Sequence, residues 1–325
     1  MTREVARAED HRLGGLIAVC VAGVIWGTIG PGVRLLHEWS GLSPWVITAY
    51  RAAIAVLAVL LATLVGRRLT STWDAARQQW RRIVVLGVLT AVFQLLFFIG
   101  VIAAGASVTT VVCLGFAPVL LLVLGSVRER RLPPASRALT VSIAVVGLLL
   151  VSLVGSAGDP MPHPLLGIVV ALASGTAYAL SAEVAKPLAH QLDPQTQTTA
   201  TMCVAAVLLV PGGLLAGALR GETLIATDLK SWLALVYLGA FTMAFAYAVF
   251  YAGLRGMSSG AAMVATLIEP VSAVVLAVIF LHERLSVAGV IGCLLILSAI
   301  VGLGYRPKKT ASGARPEPAD PPPPL

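Results

Sequence analysis

Long stretches of the chain contain almost no polar residues, and these apolar runs are bounded by charges, prolines or glycines. They fall at Leu13–Leu36, Pro44–Gly66, Ile83–Ala103, Ser107–Val127, Leu139–Gly155, Leu166–Leu188, Thr198–Leu219, Trp232–Leu254, Gly260–Leu281 and Val287–Tyr305. An α-helix needs about 20 apolar residues to cross a hydrocarbon layer of about 30 Å, so each run predicts one membrane-spanning helix. Alternation at period two is not visible, which disfavours an outer-membrane barrel and leaves a helical bundle. Arginines precede the first run as they would a secretory signal. That run is longer than a signal's apolar region and has no clear small-residue cleavage site, so it reads as a structural helix.

Composition agrees with this pattern. The chain is 58% hydrophobic and 12% charged, against about a quarter charged in a soluble protein. The net charge of +8 raises the question of a nucleic-acid partner, and the placement of the charges answers it. With the N-terminus in the cytoplasm, 17 of the 23 Lys and Arg fall in cytoplasmic segments, against only Arg220, Lys230 and Arg284 opposite. This is a positive-inside distribution with both termini cytoplasmic, and the basicity implies orientation in a bilayer, not binding to nucleic acid. Trp39, Trp45, Trp73, Trp80 and Trp232 sit in connections or near span ends, where the indole suits the headgroup region. The four cysteines each lie in a different span without metal-ligand spacing, so they read as small buried hydrophobes.

Sliding the sequence against itself at an offset of 152 aligns "LGVLTAVFQLLFF" (86–98) with "LGAFTMAFAYAVF" (238–250) and gives 11 identities over the 39 positions from 86 to 124. Among the matches are Gly87/Gly239, Thr90/Thr242, Ser107/Ser259 and Pro118/Pro270. The same offset places Trp26 over Tyr178 and Arg34 over Lys186. Each half therefore carries five spans. Five is odd, so the second half enters the membrane in the opposite sense to the first. The expected fold is an all-α integral membrane protein of ten transmembrane helices in two inverted five-helix repeats. Its expected divisions are a cytoplasmic segment at 1–12, repeats at 13–157 and 158–305, and a tail at 306–325 too charged and proline-rich to fold. Inverted repeats with proline-interrupted spans point to alternating access around a midplane site.

Several features together resemble the EamA-type branch of the drug/metabolite transporter superfamily. They are the two five-span halves, the Trp26-Gly27 pair, Arg34 ending the first span, Arg51 in the second, the mid-span Pro118 and Pro270, and the stretches "RER" (128–130) and "HER" (282–284). The resemblance covers about residues 13–305 and implies a secondary transporter, more often an exporter, of amino acids, amines, other metabolites or drug-like solutes. It also implies an inner or plasma membrane location. Family members often carry an acid before the second proline, where Glu269 stands.

Glu269 is the sharpest candidate. An ionised acid at mid-membrane costs about 2.5–3.5 kcal/mol on insertion scales, so it should face a cavity, pair, or stay protonated. Its repeat counterpart is Ala117, so the fold itself requires no acid there. Coupling to protons, binding a solute ammonium, and an interhelical hydrogen bond all remain open. Pro118 and Pro270 each free the carbonyl four residues earlier and are candidate hinges. Arg51 is a candidate for a solute carboxylate, and Trp26 with Tyr178 for an aromatic pocket wall. Arg34 reads as a snorkelling cation. Glu183 and Lys186, three residues apart, read as an intrahelical pair. Gly23 and Gly27 form a small-xxx-small face for close helix contact.

Two other classes compete. "GMSSG" (256–260) matches the nucleophile pattern G-x-S-x-G, but it falls between two spans and not between a strand and a helix. All five histidines lie in tails, loops or span ends. No zinc-binding H-E-x-x-H and no nucleotide-binding loop occurs. The expectation is a non-enzyme without cofactor or metal, whose partners are a small solute, the bilayer and, if it is coupled, protons. The second competitor, an uncoupled facilitator or exchanger, is not separated from a coupled carrier by the sequence.

Overall fold

A computed structural model describes residues 2–153, 162–281 and 286–304; the predicted tail and the "HER" stretch lie outside the described residues. All regular elements among the described residues are helical, and ten are long and apolar enough to cross a membrane. The first span is interrupted at one residue: α1 (Thr2–Gly27) gives way at Thr28 to α2 (Ile29–Ser40). The second to seventh spans are α3 (Pro44–Val65), α5 (Trp80–Ala104), α6 (Ala106–Glu129), α7 (Ala135–Leu153), α8 (Pro164–Gln191) and α9 (Pro194–Leu219); the short α4 (Leu69–Gln78) precedes α5. The eighth span joins α10 (Leu229–Val236), a π-helical stretch (Tyr237–Phe245) and α11 (Ala246–Leu254). The ninth is broken between α12 (Ser259–Ala265) and α13 (Ile268–Leu281), and the tenth is α14 (Val287–Gly304).

Local chemistry sets these boundaries. Ser43 and Asp193 cap α3 and α9, each with a proline at the first helical position, where the missing N–H has no intrahelical partner to lose. Asp228 and Ser258 accept from Ser231 N and Ala261 N at 2.9 and 3.3 Å to start the eighth and ninth spans. Gly41 ends α2 at φ 68°, a left-handed turn that glycine adopts without a Cβ penalty. Trp73 and Trp80 each carry an arginine, Arg77 and Arg81, over the ring, while Lys230 lies over Trp39 and Arg220 over Trp45. These cation–aromatic pairs sit at span ends, as the sequence predicts for an interfacial belt.

The halves pack with a pseudo-two-fold pattern. The third span lies against the sixth, and its counterpart, the eighth, lies against the first. The fourth lies against the sixth, and the ninth against the first; the second pairs with the seventh and the fifth with the tenth. Glycines at repeat-related positions make these approaches possible. A Cβ on Gly87 would stand 2.5 Å from Val204 in the seventh span, and one on Gly239 2.7 Å from Ile54 in the second. Gly23 likewise meets Ile268, and its counterpart Gly175 meets the carbonyl of Cys113. The fifth and tenth spans cross at Gly147 and Gly292, where a Cβ on either would lie under 3.0 Å from the other's carbonyl oxygen. An in-plane axis follows from these matched contacts.

The two prolines behave differently. Pro118 sits inside an unbroken α6. In the ninth span the helix stops at Thr266–Leu267 and restarts just before Pro270. The carbonyl of Thr266, which Pro270 cannot bond, accepts instead from Glu269 N at 2.9 Å. The small face predicted on the first span meets this break: Gly23 lies 3.3 Å (Cβ position) from Thr266 O, and Gly27 2.6 Å from Glu269 O.

Candidate solute-binding site

A cavity of about 520 Å³ occupies the middle of the bundle, within the size range of small-molecule sites. Its wall takes residues from both halves. Trp26 and Gly27 come from the first span, Arg51 from the second, Phe93, Gln94 and Phe97 from the third, Tyr178 from the sixth, Tyr247 from the eighth, and Glu269 with Pro270 from the ninth. Pro44, Ala106, Ser107 and Val278 also line it. These lie at the ends of their spans furthest from the N-terminal face, so the cavity runs from mid-membrane towards the opposite face. Pro118 does not line it.

The charged groups lie in its floor. Arg51 is buried, with 5% of its surface exposed. One guanidinium nitrogen donates to Thr242 Oγ1 at 3.5 Å, while Nε has no partner. Glu269 is half-buried and takes part in neither of the two ion pairs found among the described residues. Arg51 and Glu269 act on each other electrostatically across the floor without an ion-pair contact. Gln94 adds a second buried donor, Nε2, without a partner. Burying an unsatisfied donor costs about 1–3 kcal/mol, so Arg51 and Gln94 carry unspent hydrogen-bonding capacity beside the cavity that they line.

The aromatic walls are fixed from behind. Trp26 packs on Tyr247 and Phe250 at centroid distances of 5.1 and 5.4 Å, and its indole N–H donates to Thr242 O at 3.0 Å. Thr242 belongs to the π-helical stretch, in which Ala246 N bonds Phe241 O. The wider turn spares the Thr242 carbonyl for the indole, a use of π-helix found often at functional sites. Thr242 thus holds both Trp26 and Arg51. Across the cavity Tyr178 stacks on Phe93 at 4.7 Å. Replacing Thr242 with Val removes the hydroxyl that Arg51 donates to while keeping the shape, and a severalfold rise in half-saturation is expected in a flux assay if Arg51 binds solute.

The remaining candidates are elsewhere. Arg34 is two-thirds exposed and pairs with Glu38 at 3.2 Å. Lys186 does not pair with Glu183, contrary to the intrahelical expectation. Its ammonium donates to the carbonyls of Leu254 and Arg255 at 2.8 and 3.3 Å, because the C-terminal end of the eighth span lies within its reach and offers unpaired carbonyls. Glu183 accepts from Ser259 Oγ. Ser258, the serine of the G-x-S-x-G pattern, is the helix cap described above, and Ser259 is engaged with Glu183. Two cavity residues, Gln94 and Tyr247, and Thr242 behind the wall are not among the candidates that the sequence offers. Thr242 carries a signal as the repeat match to Thr90; Gln94 is a lone amide in an apolar run and Tyr247 one aromatic among many.

The EamA-like transporter family model matches the chain twice, at residues 13–153 and 165–305. The chain belongs to the EamA-like transporter family. It is 27% identical over 299 residues to the uncharacterized transporter YwfM of Bacillus subtilis (strain 168), covering 90% of this chain and 94% of that one. An uncharacterized transporter of Archaeoglobus fulgidus is 25% identical over 288 residues, covering 87% and 96%. A solved crystal structure superposes with a TM-score of 0.71 at 19% identity, covering 90% of this chain and 97% of the other, which shows the shared fold. As an EamA-like protein the chain is a multi-pass membrane transporter of a small-molecule solute. The double match accounts for the pseudo-two-fold packing, since each match spans five of the ten helices.

Proposed function

We propose that the protein is a secondary transporter that moves small amphipathic organic solutes outward by alternating access, with Glu269 exchanging a proton during the cycle. The observation that carries this reading is the cavity floor: an acid without a bonded partner and a buried arginine with a spare donor, set between aromatic walls contributed by both halves. Solutes bearing a cationic amine, a carboxylate or both, together with an apolar body, fit this chemistry. The family's span of amino acids, amines and drug-like molecules agrees with it.

The charge asymmetry of the connections supports cytoplasmic termini, which makes the cavity outward-open. Outward movement follows the family's habit and rests on analogy. The repeat divisions at 13–157 and 158–305, with a plasma or inner membrane location, complete the reading. The hinge role falls to Pro270, where the helix is broken, and less to Pro118.

Flux into proteoliposomes, measured across a panel of amines, amino acids and zwitterions with and without a pH gradient, tests it. Gradient-driven accumulation is expected. Exchange indifferent to pH would instead identify a facilitator, and chemically altered solute would identify an enzyme. Arg51→Met is expected to raise half-saturation roughly tenfold or more for carboxylate-bearing solutes, the scale of a lost charge-assisted hydrogen bond. Simple amines should be little affected. An equal loss for both classes would remove Arg51 from solute binding.

A further inference from the structure

On the N-terminal face, away from the residues that line the cavity, one cluster ties the sixth span to the eighth and ninth. Lys186, near the end of the sixth span, donates to Leu254 O and Arg255 O at the end of the eighth. Arg255 returns the contact, donating to Ala189 O and Leu192 O at 2.6 and 3.0 Å. Ser259 Oγ donates to Glu183. Cations at helix C-termini are favoured by the dipole and by the unpaired carbonyls there.

At the 152 offset Lys186 corresponds to Arg34, Ser259 to Ser107, and the Leu254 and Arg255 carbonyls to those of Ile102 and Ala103. These counterparts lie at the open side, where Ser107 lines the cavity. There the Ala103 carbonyl accepts from His163 N at 3.0 Å, and Arg34 holds no carbonyl. It is two-thirds exposed and bonded only to Glu38, four residues along its own helix. An exposed pair of this kind holds its partners weakly, so little keeps Arg34 in this position.

We propose that Lys186 is the latch of the N-terminal face, and that Arg34 is its counterpart, leaving Glu38 to cap the third span's C-terminal carbonyls when the opposite face closes. The inference rests on the alternating-access reading and supplies its gating residues. The counterpart latch is the weaker of the two. Arg255 is matched by Ala103 and Glu183 by Pro31, so the counterpart cluster has one cation where the N-terminal cluster has two, and no acid at the position that would meet Ser107.

Thiol cross-linking in the full chain, with the four native cysteines changed to alanine and the protein in lipid nanodiscs, tests this without a known solute. The pair E183C/S259C reports closure of the N-terminal face, and its repeat counterpart P31C/S107C reports closure of the other. With both cations present, a short bis-thiol reagent should join the first pair predominantly. Lys186→Met should shift the ratio of the two products towards P31C/S107C by about tenfold or more, and Lys186→Arg should restore it. Arg34→Met should shift it the opposite way, and this arm stands alone if Lys186→Met does not elute as folded protein. If P31C/S107C forms but neither substitution moves the ratio, the latch is wrong while alternating access stands. If P31C/S107C forms in no background, alternating access itself fails.

Discussion

Glu269→Gln is expected to give a folded protein whose solute flux no longer responds to a pH gradient. Glutamine keeps the size of the side chain and mimics the protonated acid, so the packing around the helix break at Thr266–Leu267 should persist. What it removes is the ability to release a proton. A charged carboxylate is costly inside the membrane, and a half-buried place on a cavity floor with Arg51 as its electrostatic neighbour lowers that cost. In proteoliposomes the gradient-driven component should fall at least about tenfold, the equivalent of losing about 1.4 kcal/mol of coupling, while solute exchange without a gradient continues. A mutant with unchanged gradient dependence would remove Glu269 from coupling. One that no longer exchanges solute at all would make the acid a binding group instead.

Matching losses of stability are expected from Gly87→Ala and Gly239→Ala. The Gly87 methyl would meet Val204 at 2.5 Å and Thr201 O at 3.0 Å, and the Gly239 methyl would meet Ile54 at 2.7 Å and Arg51 O at 2.9 Å. Backbone atoms cannot step aside as a flexible side chain can, so each substitution forces two spans apart. Overpacking of this sort costs about 1–3 kcal/mol. Thermal denaturation of detergent-purified protein should show both variants melting several degrees lower, by similar amounts. The Gly239 variant should also impair transport, because its neighbour is the backbone of Arg51. Full stability in one and collapse in the other would contradict the two-fold equivalence of these contacts.

The helical architecture was legible because lipid leaves the backbone no alternative: long apolar runs must be helices, and an odd count in each half forces inversion. Arg51 and Glu269 were legible for a related reason, since a charge in an apolar run needs a cavity or partner. Uncharged polar residues give no such alarm. Thr242, Gln94 and Tyr247 become significant only when the third and eighth spans are set against Trp26, Arg51 and Tyr178. The prolines show the same limit. Equal register suggested equal kinks, but the ninth span breaks while the fourth does not. Gly27 allows Glu269 O to come within 2.6 Å of its Cβ position, whereas the repeat equivalent of Gly27 is Ala179, whose methyl group occupies that space. Lys186 was misassigned because Glu183 is its neighbour in sequence, and the carbonyls it holds belong to another span.

The broken ninth span facing an unbroken fourth has a kinetic consequence. Two halves that differ cannot give two facing states of equal energy, so an unloaded carrier has a preferred resting side. Every tenfold of that preference corresponds to about 1.4 kcal/mol, and it raises the apparent dissociation constant on the disfavoured side by the same factor. Half-saturation measured from the two sides of the bilayer should therefore differ. The final accumulation ratio would not, because a catalyst's resting preference cancels around a closed cycle and only the driving gradient remains.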